Sequence, residues 1–177
     1  DAAGWQALGR TYAAQGRHAL AVAAFRNAVR LRPDDATLLT EYAFSLAVIN
    51  PRPGLDDPQR LVERALQLDP TSPQALSLAG TLALDRADYD AAARHWERLA
   101  QLEPPDSPTE RAIHASIAQA RHLAAIRGFH LFLVRERYAK KDPTEDLETP
   151  RSTRKLPIFL TLEEVEPFLG QLAAALE

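Results

Sequence analysis

The chain has 177 residues, 21 Lys+Arg against 24 Asp+Glu, a formal net charge of -3 and no cysteine. The missing cysteines exclude disulfides, thiolate metal sites and cysteine nucleophiles. No apolar run approaches the ~20 residues that span a bilayer, and no stretch of these residues reads as a signal peptide. The start in mid-pattern at Asp1 leaves room for an anchor or signal upstream. The charge is unevenly placed: net -3 over residues 1–120, +4 over 121–161 and -4 over 162–177. A basic block between two acidic ones implies a change of partner or origin near residue 121.

Alanine and leucine dominate and β-branched runs are scarce, so helix is favoured almost throughout. Three similar segments end in LRP (Leu31 to Pro33), LDP (Leu68 to Pro70) and LEP (Leu102 to Pro104), with proline spacings of 37 and 34. A period of that size signals stacked supersecondary units. Helix breaks are predicted near Gln15–Arg17, Pro33–Asp35, Asn50–Asp57, Pro70–Ser72, Arg86–Asp88 and Pro104–Ser107, where proline, glycine and capping residues coincide. "Asp-Asp-Ala" after Pro33 and "Thr-Ser-Pro" after Pro70 supply capping side chains for the helices that follow. "NPRPGLDDPQ" reads as a swollen turn between the two helices of the second unit. Ser107, Pro108 and Glu110 form a capping box for a seventh helix.

The segment "WQALGRTYAAQGRHALAVAAFRNAVRLRP" carries Trp5, Leu8, Gly9 and Tyr12, then Gly16, Ala21, Phe25, Ala28 and Pro33. This resembles the tetratricopeptide repeat. The third unit keeps Gly80, Tyr89, Ala92, Trp96 and Pro104, and the degenerate second keeps Tyr42, Ala65 and Pro70. Small residues (Gly9, Ala43, Gly80, Ala21, Ala92) are expected where helices cross closely. Large ones (Trp5, Tyr12, Phe25, Trp96) should fill the gaps between layers. The expected fold is all-α: a helical solenoid of three helix pairs and a long capping helix, with a short helical C-terminal appendage.

The phrases "ALSLAGTLALDRADYDAAARHWERLAQLEPPDSP" and "ERAIHASIAQAR" narrow the resemblance. Residues 1–121 look like the periplasmic repeat domain of the cytochrome c biogenesis proteins of the haem lyase machinery. That resemblance implies a non-catalytic periplasmic module without cofactor or metal, holding the C-terminal helix of an apocytochrome c-like client in its concave groove. Transferred by repeat position, the groove residues are Gln6, Arg10, Ala13 and Ala14; Thr40, Phe44, Ala47 and Val48; and Ser77, Thr81, Leu84 and Asp85. One cation in a mixed surface suits an amphipathic helix laid apolar side in, with Arg10 taking a terminal carboxylate.

From His122 the repeat pattern stops. "RHLAAIRGFHLFLVRERYAKKDPTEDLETPRSTRKLPIFLTLEEVEPFLGQ" resembles a bacterial tyrosine site-specific recombinase. It corresponds to one core-binding helix, the interdomain linker and the first helix of the catalytic domain. The arginines, histidines and tyrosine of that chemistry have no counterparts here, so no recombination is expected. The basic residues Arg121, Arg127, Arg135, Arg137, Lys140, Lys141, Arg151, Arg154 and Lys155 could meet phosphates, but charge alone gives only non-specific affinity. No specific nucleic-acid partner is expected, and no membrane contact.

Three stretches follow: a repeat domain with its capping helix over 1–121, a recombinase-like helix, linker and short helix over 122–171, and "LAAALE" over 172–177. The last matches the junction that expression vectors leave before a histidine tag. His114, His122 and His130 lie eight apart and diverge around a helix, which argues against one metal site. Scattered carboxylates offer no paired acid–base site. A peptide-binding repeat module is the leading reading. A chimera without evolved activity is the alternative, and a DNA-associated recombinase remnant the third.

Residues 109–138 should form one helix across the junction, since a lone interior Gly128 costs only ~1 kcal/mol. Its second half would show Leu123, Ile126, Phe129, Phe132, Leu133 and Val134 with no repeat beneath them. Either residues 157–171 fold back on that surface or a second chain covers it. Because 157–171 offers little covering structure, a homodimer through residues 122–171 is expected.

Overall fold

The computed structural model describes residues 1–49 and 57–137. The expected loop between the second pair of helices (50–56), the linker and the segment 157–177 lie outside the described residues. Seven helices appear in chain order: α1 (Ala2–Ala14), α2 (His18–Leu31), α3 (Ala36–Ile49), α4 (Pro58–Leu68), α5 (Pro73–Asp85), α6 (Tyr89–Ala100) and α7 (Pro108–Arg135). Among the described residues there is no strand. Each consecutive pair is in contact, and α3 also touches α1 and α5. The A helices α1, α3 and α5 thus line up beside one another, as in a solenoid.

The helix starts follow capping chemistry. Side chains of Asp1, Asp35, Asp57, Ser72, Asp88 and Ser107 accept backbone N–H bonds in the first turns of α1, α3, α4, α5, α6 and α7. The expected capping box closes one residue early: Ser107 Oγ accepts from Glu110 N, but the Glu110 carboxylate accepts from Asp106 N. Asp106 has a φ of 61°, and this backbone turn brings its N–H round to the carboxylate.

The A-to-B turns of the first and third pairs are the same device. Gly16 N bonds Ala13 O while Arg17 N bonds Tyr12 O at 2.8 Å. Seventy-one residues later Ala87 N bonds Leu84 O and Asp88 N bonds Ala83 O at 2.9 Å. Both are Schellman closures, and their pivot residues have left-handed φ: 70° at Gly16 and 58° at Ala87.

Burial follows the repeat register. Ala21, Ala43 and Ala92 are fully buried, and Phe25 and Trp96 lie in the core. Trp96 shares one buried cluster with Ile113 and Ile117 of α7, which joins the last pair to the capping helix. Trp5 behaves differently. It occupies the same repeat position as Leu39 and Leu76, which are 1% exposed, yet it is itself 39% exposed. Those leucines belong to the buried cluster that runs through α4, α5 and α6, whereas Trp5 belongs to neither buried cluster.

The junction is one unbroken helix. α7 runs 28 residues, ~42 Å at 1.5 Å per residue. Gly128 sits within it with open space around its α-carbon. Arg121 Nη2 meets Glu97 Oε1 at 2.7 Å, and Arg127 Nη1 donates to Ala87 O at 3.0 Å. The residues just past the change in sequence character are therefore pinned to the last repeat.

Candidate functional site

The transferred groove residues occupy α1, α3 and α5, three helices brought side by side. Their accessibility differs. Arg10, Val48 and Asp85 are exposed, Gln6, Phe44 and Thr81 are half-buried, and Thr40 and Ser77 are buried. Thr40 Oγ1 donates to Ala36 O at 2.8 Å and Thr81 Oγ1 to Ser77 O at 3.1 Å, so both hydroxyl protons are used within their own helices.

Arg10 is already paired. Its guanidinium lies 2.6 Å from Glu41 Oε1, with its Nε donating to the same carboxylate. Gln6 Nε2 donates to Glu41 Oε2 at 2.9 Å, and Arg32 Nη2 donates to Gln6 Oε1 at 2.6 Å. The network ties α1 to α3 and cancels the cation expected to take a terminal carboxylate. Glu41 was missed in reading the sequence, although a signal was present: it is the only charged residue of α3.

Phe44 turns toward the start of α2, where its ring meets His18 edge-on with centroids 6.1 Å apart. Beside this pair Gly16, Arg17, Ala19, Leu20, Val48 and Ile49 line an open depression that also takes in His18. Leu20, Val48 and Ile49 are all substantially exposed. Arg17 lies over the Tyr12 ring, 5.1 Å from its centroid. His18, Leu20 and Ile49 carried no sequence signal, because this shallow apolar hollow arises only when the first turn of α2 meets the last turn of α3. At the far end of α5, partial enclosure raises the Asp85 carboxyl above its ordinary pKa.

Among the described residues no three His, Asp or Glu side chains gather as a metal site would require. The arrangement is that of a surface for contact, apolar at Phe44, Leu20, Val48 and Ile49, and polar but charge-compensated around Arg10.

Comparison with known proteins finds two families on different segments of the chain. Cytochrome c-type biogenesis protein CycH of Pseudomonas aeruginosa is 34% identical over 121 residues, 68% of this chain and 30% of that protein. On a different segment, tyrosine recombinase XerD of Halalkalibacterium halodurans is 51% identical over 56 residues, 32% of this chain and 19% of that protein. XerD of Staphylococcus haemolyticus is 54% identical over 46 residues, 26% of this chain and 16% of that protein. The chain thus spans less than a third of each of these relatives, and matches to two families on separate segments are what a chimera gives.

Among solved structures, the TPR2B domain of yeast Sti1 in complex with pHsp70 superposes with a TM-score of 0.59 at 18% identity. It covers 68% of this chain and 96% of that one. The Sgt2 TPR domain from Aspergillus fumigatus gives 0.58 at 16% identity, over 86% and 91% of the two chains. These likenesses show the tetratricopeptide fold. The family model described as the cytochrome c-type biogenesis protein H TPR domain matches residues 1–110, so the chain belongs to that family.

Proposed function

We propose that the chain is a non-catalytic peptide-binding module whose face across α1, α3 and α5 takes an amphipathic helical segment of a client protein. The client class that family membership favours is a cytochrome c apoprotein presenting its C-terminal helix. The repeat fold and the biogenesis family are both non-catalytic. The compartment that this reading implies is the periplasm. Among the described residues no helix is long and apolar enough to cross a membrane.

The observation that carries the mode of binding is the Arg10–Glu41 pair. With the cation compensated, the face offers apolar contact at Phe44, Val48, Leu20 and Ile49 rather than a charge clamp. The distant relative in complex with pHsp70 shows that this fold can hold a partner. Titration of a C-terminal cytochrome c helix peptide at low and high salt tests the reading. Binding that weakens less than about tenfold (~1.4 kcal/mol) supports it. No binding, or a larger salt effect, rejects it.

A second reading rests on a separate observation, the matches to two unrelated families. In it the chain is a chimera whose recombinase-like part has no activity of its own. A test for DNA binding at physiological salt bears on both readings: sequence-selective binding would contradict each of them.

A further inference from the structure

α7 outruns the array that supports it. Ile113, Ile117 and Ala120 are buried on the α6 side. Arg127 reaches Ala87, in the turn just before the first residue of α6. Residues 128–135 therefore pass the end of α6 by ~12 Å. On this overhang Phe129, Leu131 and Phe132 are 58%, 51% and 49% exposed. At 100° per residue, Ile126, Phe129 and Leu133 fall in one row about 175° round from the Ile113–Ile117–Ala120 stripe that meets α6. Ala115, seven residues past Pro108 as Gly80 is past Pro73, lies on this same side of α7, and Gly80 is where α5 receives the Trp96 ring of α6.

The surroundings of this row are basic. Residues 121–137 carry Arg121, Arg127, Arg135 and Arg137 against Glu136 alone. A second copy approaching through the same face would bring like charge onto like charge. The chain itself carries the complement. Residues 160–172, LTLEEVEPFLGQL, hold Glu163, Glu164 and Glu166 with no base, and apolar Leu160, Leu162, Val165, Phe168, Leu169 and Leu172.

We propose that the Ile126–Phe129–Leu133 face of α7 is the docking surface for the chain's own acidic segment 160–172, which takes the place of the missing B helix. The span is sufficient. The 22 residues 138–159 reach ~25 Å as a coil, and the return from Arg137 to Ile126 along the helix is ~16 Å. A tether of that reach gives an effective concentration near the millimolar range, well above a second copy at micromolar concentration.

The test uses the full-length chain and two variants, Phe168→Ser/Leu169→Ser and Glu163→Lys/Glu164→Lys/Glu166→Lys. Amide exchange is read across residues 126–133, with α5 and α6 as the internal control for folding, and mass is measured by light scattering. The expected result is a monomer at tens of micromolar, with exchange across 126–133 at least tenfold faster in both variants and unchanged in α5 and α6. Unchanged exchange across 126–133 overturns the proposal. So does a dimeric mass whose protection of 126–133 is lost on dilution, which assigns the face to a second copy.

Discussion

The indole of Trp96 lies so close over Gly80 that a methyl group placed on that glycine would sit 2.3 Å from Nε1. Two repeats earlier in sequence, the Phe25 ring stands over Gly9 in the same way, with a hypothetical methyl 2.6 Å from Cε1. The degenerate middle repeat solves the same crossing with Ala43 and Val62, both fully buried. A smaller ring position there accompanies a larger glycine position, as constant packing density demands.

Gly80→Ala should therefore destabilise the fold despite alanine's better helix propensity. Overpacking costs about 1–3 kcal/mol, against a propensity gain of ~1 kcal/mol. Trp96→Ala alone should cost about 3–5 kcal/mol. The decisive measurement is a double-mutant cycle in denaturant. Gly80→Ala with Trp96→Val copies the middle repeat, and its loss should be smaller than the sum of the single losses by at least ~1 kcal/mol. Strict additivity would show that the two residues do not share one packing constraint.

The turn pivots give a prediction of opposite sign. Ala87 holds a φ of 58° in a place where the first repeat uses Gly16. Left-handed backbone costs a residue with a Cβ about 1–2 kcal/mol, whereas glycine adds unfolded-state freedom worth about 0.4–1 kcal/mol. Ala87→Gly should stabilise by roughly 0.5–1 kcal/mol, and Gly16→Ala should destabilise by a similar amount. The carbonyl that accepts from Arg127 is retained in Ala87→Gly. A lower melting temperature for that variant would contradict the assignment of strain.

His95 supplies a pH dependence. Burial first, then the positive charges of Arg98 and Arg94, hold its pKa below the ordinary 6.5, against weaker opposing pulls from Glu63 and Asp88. The fold therefore favours neutral imidazole. That contribution is complete above the ordinary histidine value and is lost as pH falls through it toward the lower folded value. The stability difference between the wild type and His95→Gln should shrink below about pH 6.5. Asp85 works the other way: its raised pKa makes the charged form costly, so Asp85→Asn should gain stability relative to wild type as pH rises through the carboxylate range. A pH-independent difference in either pair would remove the corresponding burial argument.

The array was legible because its signals are local. Prolines, glycines and capping side chains mark helix ends, and Gly9, Phe25, Gly80 and Trp96 sit at fixed repeat positions. What those positions do to one another was less legible. Trp5 has the signature of a core residue, yet it is 39% exposed and lies outside both buried clusters. Arg10 reads as a free cation until α1 and α3 are set side by side and Glu41, 31 residues away in sequence, arrives beneath it. Repeat register places a side chain on a face. Only the packed pair of helices says whether its charge is available.

That distinction leads to a direct test of the groove. Glu41 compensates Arg10 and also receives Gln6, so Glu41→Gln should release a guanidinium onto the face while keeping a hydrogen-bonding side chain of similar size. The pair is well exposed on the Arg10 side, so the fold should lose no more than ~1 kcal/mol. Binding should change more visibly. A client peptide ending in a free carboxylate should bind Glu41→Gln more tightly than wild type, and the gain should vanish at high salt, where exposed charges are screened within a few ångströms. The same peptide with an amidated terminus should show no gain. Phe44→Ala should weaken both peptides alike at either salt concentration, because its contribution is apolar contact. If Glu41→Gln leaves the carboxylate and amide forms indistinguishable while Phe44→Ala has no effect, the client does not lie across α1 and α3. The face assigned to it would then have to be given up.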